Sequence, residues 1–169
     1  MTTVSASESV AKKILDHYFF QFRKLDNYRP VWLRGMELDR FYPDLGVAIE
    51  FQGRQHFMQV EDLGQTKEGF ARQLQVDSQK RHLVEGQGIK LFALDIFDLT
   101  PDRMKRYATQ IKELGLSYAR EKANNEVVLR LNTVRLDLTP DSELFRAADR
   151  IGRKPRPVKK SLWTKLFGK

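Results

Sequence analysis

The tetrapeptide Pro43-Asp44-Leu45-Gly46 separates two short alternating apolar segments, and that arrangement leaves them little choice except a hairpin. Val47-Ala48-Ile49-Glu50-Phe51-Gln52 follows the turn, and Val31–Tyr42 precedes it as an extended stretch with a break near Gly35. A period of two sends Val47, Ile49 and Phe51 to one face, and Ala48, Glu50 and Gln52 to the other. On the preceding strand Glu37, Asp39 and Phe41 share a face, with Leu38 on the opposite side. Pairing about the turn therefore brings Asp39 and Glu50 together. Carboxylates crowded on a half-buried sheet repel one another, which asks for a cation or a raised pKa. An ordinary solvated sheet face explains the same pairing about equally well.

The flanking segments set the fold class. Val10, Ile14, Leu15, Tyr18, Phe19 and Phe22 recur at helical spacing, so residues 7–24 are predicted to form an amphipathic helix capped by Ser7. Phe57–Lys67 is polar and irregular. A second helix is predicted over 66–85, stopped by Gly86 and Gly88, and Ile89–Asp95 follows as a mostly buried strand. A strand reached through a crossover helix implies a mixed sheet with one parallel pair. The pentapeptide Asp-Leu-Thr-Pro-Asp occurs at 98–102 and again at 137–141, and each copy suits a helix start: Thr as cap, Pro in the first turn, Asp at the positive end. Met104–Arg120 reads as a helix, while Val127–Leu131 and Val134–Leu138 alternate like strands.

Cysteine is absent, so any metal must be held by oxygen or imidazole ligands, which favours a hard ion such as magnesium. The formal charge of +8 among 169 residues suggests nucleic acid until its location is counted. From Arg150 onward there are eight bases and no acids; the remaining 22 Lys and Arg equal the 22 Asp and Glu, so residues 1–149 are formally neutral. Such a tail suits a phosphate-binding arm or a solvated solubility segment, and charge alone does not choose. Gly152–Lys160 reads as a flexible linker. Leu162, Trp163, Leu166 and Phe167 then form an apolar face suited, in descending order, to packing back on the domain, docking a partner or touching a membrane surface. No segment approaches the roughly 18 apolar residues of a membrane span, and the start lacks a secretory layout; a soluble, cytoplasmic protein is expected.

Met36-Glu37-Leu38-Asp39-Arg40-Phe41-Tyr42-Pro43, followed by Val47-Ala48-Ile49-Glu50-Phe51-Gln52-Gly53-Arg54-Gln55-His56, resembles the PD-(D/E)XK nuclease superfamily. Within it, the pattern is similar to the branch of very-short-patch repair and homing-type endonucleases, in which a histidine follows the second strand. The resemblance spans roughly residues 8–95 and does not reach the last third. It implies an α/β, restriction-endonuclease-like three-layer core with a mixed central sheet flanked by helices. Residues 1–100 would be the nuclease-like core, 101–149 a helix and strand extension packed on it, and 150–169 the basic tail.

Carried over by position, Asp39 is the central metal-binding acid, Glu50 the second ligand, the Phe51 carbonyl a third, and Glu8 an acid that holds metal through water. His56 and Asp77 complete the branch's histidine-aspartate feature. Asp77, spaced from Phe70 and Leu74, is expected on or near the buried face of its helix. The superfamily's lysine position is Gln52 here, and an amide orients water without stabilising developing charge. Either His56 or Lys80 substitutes or the site is weak, and Lys80 taken alone reads as an ordinary exposed helix lysine. Arg40, Arg54 and Gln55 are candidate phosphate contacts. Trp32 and Tyr42 could stack on bases, but aromatic residues beside a sheet more often belong to the core. The function expected is a Mg2+- or Mn2+-dependent endonuclease hydrolysing phosphodiester bonds in DNA, preferred over RNA. A homodimer would be needed for double-strand cutting at a single site of this kind. The alternatives are a non-catalytic nucleic-acid-binding module on the same fold and a protein-interaction domain.

Overall fold

The computed structural model of the chain describes residues 6–52, 67–96, 99–138 and 142–152. Arg54, Gln55, His56, the second Thr-Pro-Asp and the basic tail beyond Gly152 lie outside these, as do the side chains of Phe70 and Leu74. Among the described residues, five α-helices and a mixed four-stranded sheet in the order β1-β2-β3-β4 make an α/β fold. No described helix is long and apolar enough to cross a membrane.

Helix α1 (Ala6–Phe19) buries Ala11, Ile14, Leu15, Tyr18 and Phe19, the stripe that helical periodicity predicts. It ends earlier than its apolar pattern. Phe22 still reaches the core from the following turn, where its N–H bonds the Phe19 carbonyl, and the Arg23 N–H donates to Asp44 of the hairpin. Strand β1 (Leu25–Tyr28) was hidden in sequence, because only its two ends face inward and Asn27 sits at φ 51. Val31–Leu33 is a 3-10 turn rather than the extended chain expected. Pro30 introduces the turn, and Arg34 and Gly35, both left-handed, close it, leaving Val31 in solvent.

The hairpin forms as predicted. Strand β2 (Leu38–Tyr42) and strand β3 (Val47–Gln52) pair antiparallel with Arg40 opposite Ile49, joined by a 3-10 turn over Pro43–Leu45. Gly46 adopts φ 60, and a Cβ there would lie 2.4 Å from the Tyr118 ring, so both backbone and packing require glycine. Helix α2 (Lys67–Gly86) is the crossover, and Gly88 at φ 72 turns the chain into strand β4 (Lys90–Asp95), parallel to β3.

Two cores lie against the sheet. The larger joins α1 to Tyr42, Val47, Ile49, Phe51 and Leu94, and extends through helices α3 (Pro101–Glu121), α4 (Asn125–Thr133) and α5 (Glu143–Gly152). The smaller gathers Leu33, Leu38, Ala48, Val84 and Ile89, with Trp32 and Phe41 packed against it. Trp32 is half-buried there, and Tyr42 is fully buried, so both aromatics serve the interior.

Thr100 caps α3 by accepting the Arg103 N–H, with Pro101 at the first position. The strands expected at 127–131 and 134–138 are absent: the first is α4, and the second an irregular segment. Val127, Leu129 and Leu131 satisfy a period of two and a helical period alike. Asn124 decides by capping the Val127 N–H, which buries Val127 and Leu131 and leaves Leu129 67% exposed. The start of α5 is capped by Ser142, which accepts the Phe145 N–H.

Candidate functional site

Asp39 and Glu50 meet where the β2–β3 pairing ends. The register that sets Arg40 opposite Ile49 places the next pair, Asp39 and Glu50, side by side. Asp39 Oδ2 accepts the Phe51 N–H at 2.8 Å, so its carboxylate is bound to the backbone of the strand that carries Glu50. Glu50 Oε2 accepts from the Lys80 ammonium at 2.5 Å. Its other oxygen, Oε1, is buried and meets no full hydrogen-bond geometry among the described residues, although the Asp39 backbone N–H comes close enough to the carboxyl to favour its ionised form. Burial raises the pKa of Asp39, against the pull of the Phe51 N–H and the Lys80 charge. For Glu50, burial first and the neighbouring Asp39 charge second push the carboxyl up to about 7. Both groups therefore resist carrying negative charge together.

These acids open into a cleft of about 370 Å3 lined also by Glu8, Gln52, Asp77, Ser78 and Arg81. Among the described residues five elements build it: the start of α1, the ends of β2 and β3, the middle of α2, and β4 through Leu91 and Ala93. Helix α2 packs through Leu83 and Val84 near its C-terminus, where it borders the smaller core. Asp77 is exposed, not on the buried face that its spacing predicts, and it lines the cleft. Lys80 departs in the other direction. In place of an ordinary exposed lysine, its side chain is 14% exposed and ion-paired with Glu50. Gln52 lines the same cleft, and its carbonyl accepts the Ile96 N–H at 3.2 Å.

Arg40 requires correction. It is 1% exposed, on the opposite face of β2 from Asp39, and cannot reach a phosphate without leaving the interior. Its Nε and Nη2 bond both oxygens of Asp26 at 2.7 and 3.0 Å. Its Nη1 reaches Asp16 at 2.8 Å, the Lys12 carbonyl at 3.1 Å and the Tyr42 hydroxyl at 3.2 Å. Asp26 is held below the usual carboxylate range, because the Arg40 bonds outweigh the burial that would raise it. Burial, partly offset by Arg40, pushes the Tyr42 phenol up to about 12.

Sequence reasoning missed Lys12, one helical turn beyond Glu8. Its ammonium lies 2.8 Å from Glu8 Oε1 and 5.4 Å over the Phe51 ring. The i to i+4 spacing of opposite charges was the available signal.

Among the described residues no three acidic or histidine side chains form a ready metal cage. The Asp39–Glu50 pair nonetheless suits a hard cation. It offers oxygen donors only, one of them buried without a hydrogen bond among the described residues, and magnesium is ordinarily held by one or two carboxylates with water filling its other positions. Without a cation, the same pair can exchange a proton near neutrality through Glu50.

No protein-family model matches the chain, and comparison with curated proteins and with solved structures gives no match.

Proposed function

We propose that this chain is a divalent-metal-dependent phosphodiesterase acting on DNA, built on a restriction-endonuclease-like three-layer core. The observation that carries the reading is Glu50: a half-buried carboxylate beside Asp39, with Lys80 on one oxygen and, among the described residues, no hydrogen bond to the buried other one. Two acids and a lysine in one cleft are the set of groups that the resemblance requires, with the lysine arriving from α2 instead of position 52. Asp39 and Glu50 would hold Mg2+ or Mn2+, helped by the Phe51 carbonyl and, through water, by Glu8. When bound, such an ion activates water and offsets charge developing on a phosphoryl group. Lys80 then leaves Glu50 to contact the phosphate or the attacking water, and the Gln52 amide orients that water. His56, with Asp77, is assigned to proton transfer or phosphate contact. The basic tail adds sequence-independent affinity, and truncation after Asp149 should flatten the salt dependence of DNA binding.

A second reading is favoured by the Lys80–Glu50 ion pair itself, which neutralises the site internally and suits a non-catalytic nucleic-acid-binding module on the same fold. One experiment separates the two. Wild type and Asp39→Asn are assayed on plasmid, branched and mismatched DNA with Mg2+ or Mn2+, alongside thermal melts with each ion. Cleavage and ion-dependent stabilisation that Asp39→Asn removes support the nuclease; DNA binding without either supports the module.

A further inference from the structure

Lys12 is buried more deeply than its position explains. Its side chain is 13% exposed and that of Glu8 20%, more sheltered than an i to i+4 ion pair on an open helix surface requires. The location is specific. The ammonium stands over the ring of Phe51, the residue whose N–H fixes Asp39, and its charge favours the ionised form of Asp39. The backbone of Lys12 is fixed as well, because its carbonyl accepts from buried Arg40. Two sheltered ammonium groups thus lie about the site: Lys80 lines the cleft from α2, and Lys12, from α1, stands over the Phe51 ring against Glu8 at the margin of the cleft. Each is paired with a cleft acid, Lys80 with Glu50 and Lys12 with Glu8.

We propose that Lys12 is a second phosphate-binding residue of this cleft, held against Glu8 until that carboxylate turns to a cation and then free to grip the phosphodiester. The inference rests on reading the cleft as a metal-dependent phosphodiesterase site. An exchange of partners has a thermodynamic consequence. While Glu8 and Glu50 hold lysines they are poor cation ligands, and while Lys12 and Lys80 hold acids they are poor phosphate ligands. Divalent-ion binding and phosphodiester binding therefore strengthen each other by the same factor, as linkage requires.

The test uses the full chain, a labelled DNA duplex, and Ca2+ in place of Mg2+ so that DNA is bound without being cut. Lys12→Met retains the stem over Phe51 and removes the charge; Lys12→Arg retains the charge. For Lys12→Met in Ca2+, the slope of log affinity against log salt is expected to fall by about 0.9, the value for one lost phosphate contact, while Lys12→Arg keeps the wild-type slope. Without DNA, Lys12→Met is expected to bind Mn2+ roughly threefold more tightly, because Glu8 is released from its ion pair. Glu8→Gln supplies an independent arm should Lys12→Met fail to fold: in EDTA it should raise DNA affinity roughly threefold by freeing Lys12. An unchanged salt slope in Lys12→Met, or weaker Mn2+ binding by that variant, would make Lys12 a prop for Glu8 and overturn the proposal. Should wild type lack any Mn2+-dependent stabilisation that Asp39→Asn removes, the phosphodiesterase reading falls, and the role of Lys12 falls with it.

Discussion

Asp39 and Arg40 are neighbours on one strand, yet the two faces of β2 treat charge in opposite ways. On the α1 face, Arg40 is buried with its three guanidinium nitrogens bonded, to two carboxylates, a carbonyl and a hydroxyl. On the cleft face, Glu50 is half-buried, with one oxygen bonded and the other, among the described residues, without a hydrogen bond, and burial together with Asp39 raises its pKa. A buried charge that is fully hydrogen-bonded fixes a structure, whereas a buried charge left incomplete keeps capacity for something else. The Arg40 set ties α1 and β1 to the hairpin. That tie also positions the cleft, since α1 carries Glu8 and Lys12 while the hairpin carries Asp39 and Glu50.

The largest expected effect comes from the incomplete side. Asp39→Asn should lower Mn2+-dependent DNA cleavage by about 1,000-fold or more, roughly 4 kcal/mol in barrier, while circular dichroism shows the fold retained. Cleavage within about tenfold of wild type would remove Asp39 from the site. On the complete side, Arg40→Met should cost about 3 kcal/mol of stability, the low end for breaking a buried ion pair, because Asp16 and Asp26 are partly exposed and can regain water. For a chain of this size that corresponds to a fall of roughly 6–12 °C in Tm. A thermal melt showing no fall would mean that the Arg40 cluster is electrostatically idle.

Next in size is the lysine. Lys80→Gln is expected to slow cleavage about 100-fold, the ordinary scale for a positioned group in acid-base or charge stabilisation. Gln52→Lys in that background should restore part of the rate, because it returns an ammonium to the same cleft from β3. Single-turnover kinetics on the two variants checks this. Failure of rescue would show that the ammonium must come from α2.

Both sides of the comparison were unequally legible in the sequence. The hairpin, the parallel crossover and the convergence of Asp39 with Glu50 follow from a period of two and one turn, since these depend on neighbours along the chain. Arg40 was misread because a charge between two apolar strand positions gives no local sign of where its partners lie; Asp16 and Asp26 come from other elements. Asp77 was misplaced for a related reason. Periodicity places it on a helix face but does not say that α2 docks through Leu83 and Val84, which leaves Asp77 exposed. Residues 127–131 satisfied two periods at once, and a cap outside the segment, Asn124, selected the helix.

The smallest effect is a pH dependence that isolates Glu50. Its folded-state pKa, about 7, lies above the ordinary value of 4.5, so between these limits the folded chain holds more protons than the unfolded one. The favourable contribution of protonated Glu50 is fully present below about 4.5 and is lost as pH rises through about 7. The full shift would correspond to about 3 kcal/mol, but the side chain is 23% exposed and the unfolded reference is solvated, so about 1–2 kcal/mol is expected. Comparison with Glu50→Gln at each pH isolates the contribution of this one group. In EDTA, the stability of wild type relative to Glu50→Gln should therefore decline by about 1–2 kcal/mol between pH 5 and pH 8, read by urea denaturation. Arg40→Met should leave that relative decline intact, because its network lies on the other face of β2. Saturating Mn2+ should reverse the sign above pH 7, since an ionised Glu50 with a cation beside it becomes stabilising where it was costly. A flat difference between wild type and Glu50→Gln across this range would show Glu50 to be as well compensated as Arg40, and the contrast between the two faces would disappear.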